Sequence, residues 1–235
     1  MSARITALLA VMLALSGASA AHAADLSAEI GVVSDYRYRG LSLSDGKPAI
    51  QASATLEHQS GLYLNLWTSS IKEPGSAMSA EIDLAAGYEA ELSKNVTLDL
   101  SATYYLYPAD RDADYVEASA IIAIDAGDVT PSLGMSLAPG QRATRDELGR
   151  ARRNLYLFGE LAYEIPGSPI TLQARAGHER GAFDEVDQGG KWDWSIGADW
   201  SLGRARIGFS YVGCGPERVA SHALLGSLLI SFGAS

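Results

Sequence analysis

The sequence contains a single cysteine, Cys214, among 235 residues. One cysteine cannot form a disulfide within the chain, which excludes the class of secreted proteins stabilised by disulfides. No Cys/His cluster has the spacing of a metal site, so we expect neither a structural metal nor a cofactor. Cationic side chains are also scarce, because 18 Lys and Arg residues face 28 Asp and Glu residues for a net charge of -10. We therefore expect no binding to nucleic acid through charge.

Long apolar runs are absent after the first residues. No later stretch approaches the roughly 20 apolar residues that a membrane-spanning helix needs. The start of the chain combines Arg4, an apolar run over residues 5–15 and the small-residue end Ala21-His22-Ala23, which is typical of a secretory signal. We expect residues 1–23 to be a signal peptide, and residues 24–235 to be an exported domain that passes through the periplasm.

The sequence does have a period-two alternation of apolar with small or acidic side chains, which is the pattern of β-strands with two different faces. Short turns alternate with longer loops between these stretches, as in bacterial outer-membrane barrels. We predict an all-β fold, a transmembrane antiparallel β-barrel with short periplasmic turns and longer extracellular loops. Ten strands remain an alternative, because the tracts at 114–138 and 204–213 are weak. The twelve predicted strands lie near residues 25–36, 48–58, 61–71, 78–91, 95–107, 114–126, 128–138, 153–165, 169–180, 191–202, 204–213 and 220–233.

The two faces of the predicted strands differ in chemistry. Aromatic side chains near the ends of the apolar faces suit a lipid interface; the candidates are Tyr36, Tyr88, Tyr163, Trp192, Trp194 and Trp200. A soluble β-sandwich or lipocalin-like barrel is the alternative, but the opposite face is too charged for a dry core, which favours the membrane barrel. The charged candidates for the lumen are Glu29, Glu81, Asp83, Asp99, Glu117, Glu160, Asp193, Asp199, Arg175 and Arg206.

The first predicted hairpin carries the most specific motif in the chain. Residues 34–40 read Ser-Asp-Tyr-Arg-Tyr-Arg-Gly, and residues 46–51 read Gly-Lys-Pro-Ala-Ile-Gln. This hairpin resembles that of the TorF family of proteobacterial porins, on the residues Ser34, Asp35, Tyr36, Arg37, Arg39, Gly40, Pro48 and Gln51. The resemblance implies a Gram-negative outer-membrane barrel with a channel role. One departure is the chain end, where Phe232 precedes Gly233, Ala234 and Ser235, although such barrels commonly end on an aromatic residue.

Strand parity predicts where the side chains of this motif point. Asp35, Arg37 and Arg39 are expected to face the lumen at its outer end, whereas Tyr36 and Tyr38 are expected to face lipid. The two arginines either form a charged constriction or pair with carboxylates of the wall and brace the barrel. We favour bracing, because an unpaired charge in a narrow lumen is costly.

The width of the lumen limits the size of any solute that could pass through the barrel. About twelve strands spaced about 4.8 Å apart and tilted about 40° give a backbone radius near 12 Å. We predict a passive channel for small solutes or ions, with an acidic, cation-favouring lumen. The alternatives are an occluded structural or adhesion-type barrel and an outer-membrane hydrolase, for which the histidines are His58, His178 and His222. We expect the protein not to be an enzyme. The expected partners are outer-membrane lipid and lipopolysaccharide, the barrel-assembly machinery and small solutes.

Overall fold

The computed structural model describes residues 24–72, 79–184, 189–216 and 221–233. The predicted signal peptide at residues 1–23 lies outside the described residues. Within the described ranges, no helix is both long enough and apolar enough to cross a membrane.

Twelve antiparallel strands close into one barrel, in which the first strand pairs with the last. The prediction of an all-β barrel is confirmed, and its strand number is twelve rather than ten. A separate two-stranded hairpin lies between the first two barrel strands. The strands are β1 (Ala24–Val33), β2 (Arg37–Tyr38), β3 (Leu41–Ser42), β4 (Ala49–His58), β5 (Leu62–Ile71), β6 (Ser79–Ser93), β7 (Val96–Leu106), β8 (Tyr115–Ile124), β9 (Val129–Ala138), β10 (Asn154–Glu164), β11 (Ile170–Arg180), β12 (Lys191–Leu202), β13 (Ala205–Gly215) and β14 (Ser221–Gly233).

The alternation in the sequence determines which face of each strand points outward. Leu64 is 58% exposed on the outer face of β5, while its neighbours Tyr63 and Asn65 are partly buried on the inner face. The pairing of Leu64 with Leu56 and with Ala86 keeps apolar side chains together on the outside. The soluble alternative required the leucines to point inward, so this orientation excludes it. The outer surface is apolar, as in barrels surrounded by lipid.

The connections at the two ends of the barrel differ in length. The turns β4–β5, β6–β7, β8–β9, β10–β11 and β12–β13 are short and lie at one end, together with both ends of the described chain. Gly127 and Gly203 adopt φ angles of 83° and 61° in two of these turns, a region that glycine enters at little cost. In outer-membrane barrels the short turns face the periplasm, which places the longer connections outside.

The strand registers set the width of the barrel. Following the paired residues once around the ring gives a stagger of about 16 residues. For twelve strands, this stagger corresponds to a tilt of about 43° and a backbone radius of about 12 Å. The interior is therefore wide enough to hold a chain segment as well as inward side chains.

Candidate functional site

A hairpin folded into the lumen is the main feature of the barrel interior. Strand β1 ends at Val33, and the chain then turns inward and forms β2 and β3. Arg39 and Gly40 join these two strands with φ angles of 48° and 84°. Two consecutive positive φ angles are typical of the tight type I′ hairpin turn. Because arginine rarely adopts this conformation, other contacts must hold Arg39 in place.

Ionic contacts hold Arg39 against the far wall of the barrel. Its guanidinium donates to Glu117 Oε1 on β8 at 2.5 Å and to Glu179 Oε1 on β11 at 2.6 Å. Strand β9, between these two strands, lies opposite β1 in the ring. The hairpin starts at β1, so it crosses the full width of the lumen.

The environment of Arg39 is nearly closed to solvent. Its side chain is 5% exposed, and its guanidinium stacks over the rings of Tyr156 at 4.2 Å and Tyr38 at 4.7 Å. Burial alone would lower the pKa of Arg39, but Tyr38, Glu117 and Glu179 outweigh it and raise the pKa. The guanidinium is therefore a fixed cation at the centre of the site.

Further contacts connect the hairpin to the wall on several sides. The Tyr36 ring packs on Trp67 of β5 at 5.2 Å between centroids. The Tyr38 hydroxyl lies 3.1 Å from the hydroxyl of Tyr105 on β7. Arg37 Nη1 donates to Ser221 Oγ of β14 at 2.8 Å. The hairpin thus touches strands all around the ring, which fixes its position in the lumen.

Asp35 organises the base of the hairpin. One of its carboxylate oxygens accepts hydrogen bonds from Ser42 Oγ at 2.5 Å and from Ser44 Oγ at 3.0 Å. The other oxygen accepts from Arg37 Nε at 2.6 Å. Asp35 therefore ties both arms of the hairpin together before the chain enters β4.

The motif of the first predicted hairpin occupies these positions, and part of the prediction from strand parity is wrong. Asp35, Arg37 and Arg39 lie in the lumen, but so do Tyr36 and Tyr38, for which parity predicts contact with lipid. The error arises because β1 ends before the motif, so strand parity no longer applies to it.

The other motif residues lie around the hairpin. Ser34 Oγ accepts a hydrogen bond from the amide of Gly226 at 2.9 Å, and Gln51 Nε2 donates to Ser69 Oγ at 3.4 Å. Pro48 immediately precedes β4, into which the chain leads from the hairpin.

The charged candidates for the lumen occupy inward positions but have different partners. Four of them form two ion pairs within the wall, Glu160 with Arg175 at 2.6 Å and Glu29 with Arg206 at 3.4 Å. Glu117 binds the hairpin, and Asp193 Oδ1 accepts from the Tyr156 hydroxyl at 3.0 Å. Among the residues that the structure describes, five candidate carboxylates have no cationic nitrogen within 4.0 Å, namely Glu81, Asp83, Asp99, Asp193 and Asp199.

Several residues of the site were missed because parity cannot show which inward positions meet an inserted segment. Lys191 Nζ lies 2.8 Å from Glu179 Oε2, and Asn154 Nδ2 donates to Glu179 Oε1 at 3.0 Å. Both Lys191 and Asn154 occupy first positions of strands at the loop end. Lys191 could have been found from the sequence, because a lysine at the start of a predicted strand is unusual in a barrel with few cations.

Open space lies below the hairpin. A cavity of 360 Å³ is bounded by Tyr36, Arg37, Trp67 and Asp199. Nearer the short turns, a cavity of 590 Å³ is lined by carboxylates of three strands, Glu57, Glu89 and Asp99. The hairpin thus packs the loop end of the lumen, whereas open space remains nearer the turn end.

Most of the predicted interface aromatics lie on the outer surface. Tyr88, Tyr163, Trp192 and Trp200 are exposed there. Trp194 also occupies an outward position, where it packs against the imidazole of His222 at 5.6 Å between ring centroids. Tyr36 is the exception described above.

The histidines considered for a hydrolase do not meet in one place. His178 packs on Trp192 on the outer face, and His222 packs on Trp194. His58 Nδ1 lies 2.8 Å from Ser60 Oγ, but this contact is local to an exposed turn. Within the described ranges, no carboxylate forms a hydrogen bond with any of these three rings.

Solved structures share this fold at low sequence identity. The NanC porin matches with a TM-score of 0.58 and 11% identity over 89% of this chain and 99% of that chain. The KdgM porin, solved in complex with disordered oligogalacturonate, matches with a TM-score of 0.60 and 6% identity over 90% of this chain and 99% of that chain. The CymD monoaromatic hydrocarbon channel matches with a TM-score of 0.51 and 7% identity over 90% of this chain and 88% of that chain. The fold is therefore that of outer-membrane porins and channels.

The sequence itself matches one family. No curated protein sequence matches the chain. The profile of a family described as "Bacterial protein of unknown function (Gcw_chp)" matches residues 17–225, which includes all but the end of the barrel. The chain therefore belongs to the Gcw_chp family.

Proposed function

We propose that this protein is an outer-membrane channel for the passive diffusion of small solutes and ions, narrowed at its outer end by the hairpin. The observation that carries the proposal is the polar, charged interior of a barrel about 12 Å in backbone radius, in which an inserted hairpin fills only the loop end. A wall built for packing alone would be apolar, because each unpaired buried charge costs stability. The first-hairpin resemblance to TorF-family porins supports the same role.

The charge of the open chamber supports a preference for cations. Glu57, Glu89 and Asp99 line it, and no Lys or Arg is among its lining residues. Carboxylates at close quarters attract cations and repel anions, as acidic rings do in cation channels. The oligogalacturonate of the KdgM complex is an anion, and this lumen does not suit such a ligand.

An occluded barrel with a structural or adhesive role is the second candidate. The burial of Arg39, Glu117 and Glu179 at the loop end favours it, because a tightly packed hairpin closes the path. The two candidates differ in one measurable property, which is the conductance of the folded protein.

The proposed location is the outer membrane of a Gram-negative bacterium, with the hairpin toward the outside. The apolar outer surface and its exposed tryptophans support contact with lipid and lipopolysaccharide. Such a barrel would require the barrel-assembly machinery for insertion.

Recording in planar bilayers tests the function. We expect the folded protein to conduct and, in a salt gradient, to give a reversal potential of cation-selective sign. Asp99→Asn should reduce that potential, because it removes one unpaired charge from the chamber. Glu147→Gln, which changes an exposed loop carboxylate, should leave it unchanged. No conductance from well-folded protein would establish the occluded barrel instead.

A further inference from the structure

Two neighbouring carboxylates at the loop end of β6 lack a cation. Glu81 and Asp83 occupy successive inward positions of this strand. Trp67 of β5 and Tyr105 of β7 pair with Asp83 on either side. The Tyr107 hydroxyl donates to Glu81 Oε1 at 2.9 Å. We call the group formed by Glu81, Asp83, Tyr36, Trp67, Tyr105 and Tyr107 the acidic niche.

In the acidic niche Glu81 is buried and Asp83 is half-buried, and each carboxylate has an oxygen without a hydrogen bond. Glu81 is 1% exposed, and both Glu81 Oε2 and Asp83 Oδ1 are buried without a hydrogen-bond partner. In the part of the chain that the structure describes, no Lys, Arg or His nitrogen lies within 4.0 Å of either carboxylate. Two negative charges side by side in such a site are costly unless a cation compensates them or one carboxyl group holds a proton.

The cations of the nearby hairpin are already engaged. Arg37 pairs with Asp35, and Arg39 is shared between Glu117 and Glu179. The hairpin instead contributes the aromatic ring of Tyr36. Burial raises the pKa of Tyr36, and Glu81 and Asp83 raise it further, which is consistent with a strongly negative surrounding.

Aromatic rings form the remaining walls. Tyr36 packs on Trp67 at 5.2 Å between centroids, and Tyr105 pairs with Asp83 across the ladder. The faces of such rings attract organic cations, most strongly where water is excluded. Tyr36 and Trp67 also bound the 360 Å³ cavity, so the acidic niche adjoins open space below the hairpin.

We propose that the acidic niche is a binding site for a small organic ammonium ion. The ammonium group would lie between Glu81 and Asp83, with its alkyl part against the aromatic rings. A divalent metal fits less well, because calcium takes six to eight oxygen ligands and no group of three or more His, Cys, Asp or Glu suited to a metal occurs within the described residues. This inference rests on the proposed function, since it names a solute class for a cation-favouring channel.

Calorimetric titration of the folded full-length protein in detergent with propylammonium chloride tests the site. We expect saturable binding that potassium chloride at equal concentration does not displace. Asp83→Asn should weaken the affinity at least about tenfold, as should Glu81→Gln. Trp67→Leu should weaken binding as well, whereas Glu147→Gln should leave it unchanged. Asp83 is partly exposed, so Asp83→Asn keeps the test valid if Glu81→Gln does not fold.

Three results would overturn the proposal. These are the absence of saturable binding, an affinity that neither carboxylate substitution changes, and displacement of propylammonium by potassium or calcium at equal concentration. Binding in detergent does not need an open path. Loss of binding with intact conductance therefore refutes only the ammonium site, and binding without conductance refutes only the channel.

Discussion

The substitution Arg39→Asn removes the ion pairs of the hairpin but keeps a residue that suits its turn. Asn-Gly is the preferred sequence for a type I′ turn, so an asparagine side chain here relieves the strain of the 48° φ angle that Arg39 adopts. The change removes both hydrogen bonds to Glu117 and Glu179. The side chains of these two glutamates are only 2% and 1% exposed, so water does not readily replace the guanidinium.

The size of the effect follows from these contacts. Removing one partner of a buried ion pair costs about 3–5 kcal/mol. The lower part of that range applies, because Lys191 still neutralises Glu179. Relief of the left-handed backbone offsets about 1 kcal/mol. The docked hairpin should therefore lose about 2 kcal/mol, which increases the fraction of undocked hairpin about thirtyfold. The strand ladder is untouched, so the thermal stability of the barrel should change little.

Single-channel recording measures this change directly. We expect Arg39→Asn to open more often or to a larger conductance than the unmodified protein. The matched control is Arg142→Asn, which breaks an ion pair with Asp112 whose side chains are 64% and 63% exposed and which contributes little. Identical currents for Arg39→Asn and the unmodified protein would refute the view that the hairpin restricts the lumen.

Two further predictions concern close approaches inside the barrel. A Cβ at Gly40 would lie about 2.5 Å from Cys214 Cβ, so Gly40→Cys should form a disulfide and lock the hairpin if the two backbones separate by about 1–2 Å and the cysteine accepts the strain of the 84° φ angle; oxidation should lower the conductance and dithiothreitol should restore it. The same result with Cys214→Ser present would show that the disulfide is not the cause. At Gly134, an added Cβ would collide with the ring of Phe158, so Gly134→Val should cost about 1–3 kcal/mol in urea unfolding. At Gly159 an added Cβ would make only ordinary van der Waals contacts, the nearest with Leu133 Cδ2 at about 3.4 Å, so Gly159→Ala should cost less; equal losses would contradict the packing argument.

The barrel was predictable because its pattern is local and repeated. Each strand alternates between leucines and polar residues, as in β7 with Leu98 and Leu100 against Asp99, and each alternation fixes a face. Agreement among twelve strands made the architecture clear, and the short turns fixed their order. The tract at 204–213 has a weak alternation but still forms β13, because antiparallel pairing with β12 and β14 holds it in the sheet.

The site was only partly predictable. The inward placement of Asp99, Glu160 and Arg175 follows from parity alone, but their partners depend on which strands are neighbours. Parity misplaces Tyr36, because β1 ends before this residue. The ionic contacts of Arg39 join residues 78 and 140 positions apart in the sequence, and no local pattern indicates such pairs.

The sequence by itself determined the strands and their outward and inward faces, because a side-chain period of two is a property of each strand. The tertiary structure alone decided that the hairpin of β2 and β3 enters the lumen, that Arg39 lies between two distant glutamates, and that Glu81 and Asp83 remain without a cation. These outcomes depend on closing the ring, which brings strands that are far apart in the chain around one shared interior.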